Sequence, residues 1–168
     1  MNHSTAERTG AAFIEDAVDL ETQTQPNGVE LTLARIDRFA GSGTLAFDNS
    51  ERQLPATEEV PFDSEGWVWL PPGAYKVGFN ELVRVPADRF AIARPRSSLL
   101  RMGVSLPSAL WDSGYNGRGE GLLVVHNPHG LRVRRNARLV QLVFFTLSAP
   151  VEHPYNGRYQ EGRSGPNR

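Results

Sequence analysis

Apolar residues along this chain fall in short clusters set off by polar turns, not in long amphipathic stretches. The clusters are Val29-Glu30-Leu31-Thr32-Leu33, Trp67-Val68-Trp69-Leu70, Ala74-Tyr75-Lys76-Val77-Gly78-Phe79, Leu122-Leu123-Val124-Val125-His126 and Leu139-Val140-Gln141-Leu142-Val143-Phe144-Phe145. They are rich in β-branched and aromatic residues and read as strands. Pro26-Asn27-Gly28, Pro71-Pro72-Gly73 and Asn127-Pro128-His129-Gly130 punctuate them. Short strands with such regular breaks predict one all-β domain, a sandwich or barrel. Only two stretches suggest helix. Ala11 to Leu20 has apolar residues at loosely helical spacing, and Ser97 to Met102 lies between a Pro95 start signal and a Gly103 stop, with serines at its start.

With 168 residues the chain is long enough to bury roughly 70% of the surface it exposes when unfolded. The polar residues 1–10 predict a flexible N-terminus ahead of a domain over 11–156. Residues 157–168, rich in Gly and Arg, predict a tail. Disorder is one reading of that tail; the other is a flap that orders on an anion, with Arg158, Arg163, Arg168, Tyr159 and Gln160 as donors and stacking ring. The polar segment 41–65 reads as a surface excursion. Eighteen Lys and Arg against 19 Asp and Glu leave no basic excess to hold nucleic acid by bulk charge. The lack of cysteine excludes thiolate catalysis, disulfides and cysteine-bound zinc. No apolar run approaches the ~20 residues of a membrane span, and the first ten residues lack a signal pattern, so a cytoplasmic protein without membrane contact is expected.

Three clusters could do chemistry. Arg94-Pro95-Arg96-Ser97-Ser98-Leu99-Leu100-Arg101 sets arginines and hydroxyls at the mouth of a short helix, where planar guanidinium forks and free N–H groups suit phosphate. The plainer reading is a serine N-cap among solvated arginines. Trp111-Asp112-Ser113-Gly114-Tyr115-Asn116-Gly117 reads as a hairpin with a lone carboxylate at its bend. Asp112 is either a turn former bonding its own backbone or a general base orienting water, with Tyr115 stacked on a sugar and hairpin backbone groups reading a base edge. Gln141, polar in an apolar strand, needs a partner if buried. It is a satisfied core glutamine, a residue on a solvated face, or a ligand. The four histidines form no metal-spaced set.

Taken in order, these segments resemble the motifs of the dUTPase/dCTP deaminase superfamily. Pro95-Arg96-Ser97-Ser98-Leu99 with Arg101, Met102 and Gly103 resembles its phosphate motif. Trp111-Asp112-Ser113-Gly114-Tyr115-Asn116-Gly117 looks like its Ile-Asp-x-x-Tyr-x-Gly hairpin, and Ala137-Arg138-Leu139-Val140-Gln141-Leu142-Val143 is similar to its Gly-x-Arg-Ile-Ala-Gln-Leu strand. Gln25-Pro26-Asn27-Gly28-Val29-Glu30-Leu31 matches an early Gln-Pro-x-x-x-Asp-Leu segment, with Glu for Asp. Arg158-Tyr159-Gln160 and Gly165-Pro166 resemble a deaminase tail. The resemblance spans about residues 25–166, and the hairpin looks like that of the archaeal dUTPase branch.

The resemblance implies a distorted, jelly-roll-like β-barrel with one or two short helices, forming a homotrimer with interfacial active sites. It implies pyrimidine deoxynucleoside triphosphates as substrates, with Mg2+ carried on the phosphates and no protein metal ligand. In dUTP hydrolysis Asp112 would activate water. Arg96, Ser97, Ser98, Arg101, Gln141, Arg158 and Tyr159 would hold phosphates, and Tyr115 would stack on deoxyribose. Deamination would need a Glu in a Leu-Glu-x-x-Asn pattern, and Leu123-Val124-Val125-His126-Asn127 has Val124 there. Glu120, in a hairpin about two residues longer than the pattern, is the one candidate for a displaced shuttle. dUTP hydrolysis is the expectation. dCTP deamination, alone or combined with hydrolysis, and a non-catalytic dUTP sensor are the alternatives.

Overall fold

The computed structural model describes residues 6, 7 and 9–160. Eleven strands and two short helices follow in the order β1 (Ile14–Glu15), α1 (Leu20–Gln23), β2 (Thr24–Gln25), β3 (Gly28–Phe39), β4 (Thr57–Glu59), β5 (Trp67–Leu70), β6 (Gly73–Arg84), β7 (Arg89–Pro95), α2 (Ser97–Arg101), β8 (Val104–Ser105), β9 (Asn116–Val125), β10 (Leu131–Arg134) and β11 (Arg138–Thr146). Nine strands make one sheet with the path β7-β11-β3-β6-β9-β8, and β1, β2 and β4 pair onto β6 and β3. Strands β5 and β10 form a separate ribbon. The long antiparallel sheet is barrel-like and mostly β, as the apolar clusters predict.

Alternation explains which side faces in. Along β9, glycine and aliphatic residues from Gly117 to Val125 are buried at every second position, with Arg118, Glu120 and Leu122 outward. The first six residues of β3 are buried on both faces; β11 pairs with Val29–Thr32, β6 takes over from Leu33, and Gln23 of α1 donates to the Glu30 carbonyl. Val29, Leu31, Leu33, Ile36, Val77, Phe79, Leu123, Leu139 and Leu142 form the centre of the core.

Three carboxylates are buried among the described residues, Glu30, Asp37 and Glu81, and Glu81 lies deepest. Glu81, fully buried where β6 bulges between Gly78 and Leu82, accepts from Gln23 Nε2 at 2.8 Å, Thr32 N–H at 2.8 Å and the Thr32 hydroxyl at 2.5 Å. Three donors to one carboxylate replace the water it has lost, and they lock α1 onto β3.

Two expectations change. The stretch from Ala11 to Leu20 is not a helix but a 3-10 turn (Ala11–Phe13) followed by β1, and α1 begins only at Leu20. Sheet pairing overrides the loose helical spacing: Ile14 pairs with Val83, and Phe13 packs on Phe144 with centroids 5.2 Å apart. The excursion at 41–65 contains β4, paired to the end of β3, and a bridge between Thr44 and Gln53.

Candidate active site

The Asp112 segment is held by the sheet on both sides. Trp111 exchanges backbone hydrogen bonds with Ala91 of β7, and Gly114 N–H donates to the Val85 carbonyl at 2.9 Å. Tyr115 N–H donates to the Asp112 carbonyl at 3.0 Å, closing a turn that feeds into β9. The segment is therefore a corner between β7 and β9 and not a simple hairpin. Trp111 is buried against Gly119, where a Cβ would lie 2.0 Å from the indole ring, so only glycine leaves room for it. The Asp112 side chain is exposed, and its carboxylate accepts no hydrogen bond among the described residues. The turn is made by backbone groups, which leaves that carboxylate available to a water.

Tyr115 sits edge-on to Trp111 at 5.4 Å between centroids, with Tyr155 tilted against it at 5.7 Å. Burial pushes its phenol up to about 12, with smaller contributions from Tyr155 and Glu120. Tyr115 is therefore neutral at physiological pH, a flat ring and not an acid or base.

The phosphate-motif residues lie at the other end of β7. Arg96 takes the N-cap position of α2, and no side chain caps the helix. Ser97 and Ser98 fall inside its first turn, exposed, with hydroxyls that make no hydrogen bond among the described residues. The serine N-cap reading therefore does not hold. Arg101 folds back along its own helix, donating to the Ser97 carbonyl at 3.2 Å. Arg96 Nε donates to Oε1 of buried Glu30 at 2.6 Å, and Arg138 NH1 stands 2.8 Å from Oε2 of the same carboxylate. Gln141 is half-buried on β11, in register with Glu30 on one side and Arg94 on the other. Glu30, Arg96, Arg138 and Gln141 thus share one patch of sheet.

In one chain this patch is remote from Asp112. Trp111 is opposite Ala91, whereas Arg96 continues the β7 ladder by donating to the Leu139 carbonyl. The five residue steps between them span about 17 Å of extended strand.

Of the tail, Arg158 is half-buried and Tyr159 exposed; Arg163, Arg168, Gly165 and Pro166 lie outside the described residues. Residues 154–160 lie against the Asp112 turn of their own chain. Tyr155 N–H donates to the Ser113 carbonyl at 2.8 Å, and the Gln160 carboxamide bonds backbone groups of Gly114 and Asn116.

Glu120 does not take the place of the missing shuttle. It faces outward on β9, 3.2 Å from Lys76 Nζ and 3.5 Å from Arg35. Val124 is four residues on, about 13 Å along the strand, and pairs with Ser105 of β8. Glu120 instead lines a shallow cleft of about 330 Å3 with Lys76, Phe39, Pro107 and Leu122. Two features escape sequence reasoning. The Glu30 clamp is announced only by a carboxylate inside an apolar strand segment, and the Gln160 contact by no local signal.

A family model described as dCTP deaminase-like matches residues 3–147. The chain belongs to that family. Curated relatives include a protein of Methanosarcina barkeri, 52% identical over 149 residues, which cover 89% of this chain and 87% of that one. It is named probable deoxyuridine 5'-triphosphate nucleotidohydrolase. A protein of the same name from Archaeoglobus fulgidus is 52% identical over 148 residues, covering 88% of this chain and 86% of its own. Among solved structures, the 2'-deoxycytidine 5'-triphosphate deaminase of Agrobacterium tumefaciens superposes with a TM-score of 0.60 at 24% identity. That match covers 84% of this chain but only 46% of the other, and it speaks for the shared fold. No described helix is long and apolar enough to cross a membrane.

Proposed function

We propose that this protein hydrolyses dUTP, carried as its Mg2+ complex, to dUMP and pyrophosphate in the cytoplasm. The observation that carries the reading is the free Asp112 carboxylate on a rigid turn, in a chain half identical to proteins named for that activity. Asp112 takes a proton from a water as its oxygen attacks the α-phosphorus. The bond to the bridging oxygen breaks and pyrophosphate leaves with its electron pair. Placing that water and neutralising charge on the phosphates supply the rate. Arg96, Ser97, Ser98 and Arg101 hold the phosphates, with Gln141 from β11 and Arg158 and Tyr159 from a tail over 157–168 that closes on the nucleotide. Tyr115 presents its ring to the deoxyribose.

The site is shared between copies, and the assembly is a homotrimer. About 17 Å of strand separates the two clusters within one chain, too far for both to serve one α-phosphorus. The exposed apolar side chains of Leu100, Met102 and Leu110 flank the clusters and support a contact between copies there.

Deamination lacks its acid/base group, because Val124 cannot move a proton and Glu120 is tied to Lys76. The test is pyrophosphate release from dUTP alongside ammonia release from dCTP on the purified protein. Pyrophosphate from dUTP without ammonia from dCTP is expected. Ammonia release would establish a deaminase, and tight dUTP binding with neither product would establish a sensor.

A further inference from the structure

The contact between residues 154–160 and the Asp112 turn has a specific chemistry. Gln160 Oε1 accepts from the Asn116 N–H at 3.1 Å, and Gln160 Nε2 donates to the Gly114 carbonyl at 3.1 Å. The fixed polarity of the two backbone groups sets which end of the carboxamide meets which. Gly114, at φ 86°, is packed by Pro154, whose Cβ stands 2.5 Å from where a side chain on residue 114 would begin. The Tyr155 ring covers Tyr115 from the same segment.

A primary carboxamide offers a carbonyl acceptor beside an N–H donor. The lactam edge of uracil offers the same pair, its C4 carbonyl beside N3–H. One backbone donor and one backbone acceptor, Asn116 N–H and the Gly114 carbonyl, are satisfied by either.

We propose that Gln160 is a surrogate base. Its carboxamide occupies the backbone edge that reads uracil, and residues 154–160 leave the turn when the base arrives. This rests on the dUTP reading above. Displacement by the base also frees Arg158 and Tyr159, so the tail becomes available to the phosphates only after a pyrimidine has taken the edge. The clasp and the base compete for the same two hydrogen bonds, so the stability of the clasp is subtracted from nucleotide affinity.

The test uses the full chain, dUMP as a ligand that is not turned over, and two variants. Gln160→Ala removes both bonds; Gln160→Glu removes the donor and sets a carboxylate against the Gly114 carbonyl. Each is expected to bind dUMP about five- to tenfold more tightly by calorimetry, the loss of two surface-accessible bonds being of that order. Exchange of the Asn116 amide hydrogen should rise about tenfold in nucleotide-free Gln160→Ala and fall again when dUMP is added. Unchanged or weaker dUMP binding in both variants overturns the proposal alone, as does Asn116 exchange that ignores the substitution. No dUMP binding by any of the three proteins overturns the dUTP reading and this proposal with it.

Discussion

Glu30 Oε1 accepts from Arg96 Nε at 2.6 Å, which ties the first arginine of the phosphate motif to a buried carboxylate of β3. Only Nε of Arg96 is engaged among the described residues, so its terminal nitrogens remain for a phosphate. The carboxylate also balances Arg138, and without it two guanidinium groups would repel each other on one patch. Glu30→Gln should keep the fold and raise KM for dUTP about tenfold with a smaller change in kcat, because Arg96 loses its fixed direction. Glu30→Ala should also lower stability by about 2 kcal/mol, less than for a fully buried pair because both arginines are partly solvated. Steady-state kinetics and urea denaturation of the two variants would check this, and an unchanged KM would refute it.

Asp112 is expected to contribute to turnover and very little to folding. Its carboxylate makes no hydrogen bond or ion pair among the described residues, while its backbone carbonyl holds Tyr115 whichever side chain is present. Asp112→Asn should therefore leave thermal stability within about 0.5 kcal/mol of the parent. It should lower kcat about a thousandfold, the usual scale for loss of a positioned base. Affinity for a non-hydrolysable dUTP analogue should stay within a factor of about three. Retained turnover would mean that another group deprotonates the water.

How far the sequence carried can be judged residue by residue. The cores of β3, β5, β6, β9 and β11 were legible because each is a short β-branched or aromatic run between turn residues. The helix at Ser97–Arg101 was legible from Pro95 and Gly103. Strands β7 and β10 were not, since arginine and proline dilute their apolar positions and only cross-strand pairing reveals them. The stretch after Ala11 misled because its apolar spacing fits a helix while its partners lie on β6 and β11. The turn at Asp112 was expected, but its attachment to β7 through Ala91 is a long-range fact. The distance between Asp112 and Ser97 was hidden for the same reason: nothing in either motif states that a whole strand separates them.

Tyr115 makes stability fall at high pH. Its phenol titrates at about 12 in the folded chain and near 10 when unfolded. The unfolded chain therefore loses its proton first as pH rises. The stabilising effect is complete below pH 10 and disappears between 10 and 12. It amounts to about 1–2 kcal/mol, reduced because the ring is only partly buried. Tyr115→Phe should remove that component, so the stability difference between parent and variant at pH 9 should shrink or reverse at pH 11.5. Tyr75, also raised by burial, is common to both proteins and cancels in the comparison. Identical pH profiles from denaturant titrations would show that Tyr115 titrates as a free phenol.

Subunit complementation can decide whether Asp112 and Ser97 act in one site. Each of Asp112→Asn and Ser97→Ala should impair turnover when present in every copy. If the site draws Asp112 from one copy and Ser97 from another, a mixed trimer contains some sites where both contributors are intact. Random reassembly of equal amounts leaves each contributor intact half the time, so about a quarter of the sites recover, as closed cyclic symmetry with heterologous contacts requires. If both residues come from the same chain, no mixed trimer contains an intact site and activity stays at the mean of the two variants. Unfolding and refolding the two proteins together, then assaying pyrophosphate release, separates these outcomes. Recovery would also explain how about 17 Å of strand can divide two halves of one active centre, because the second half is supplied by a neighbour.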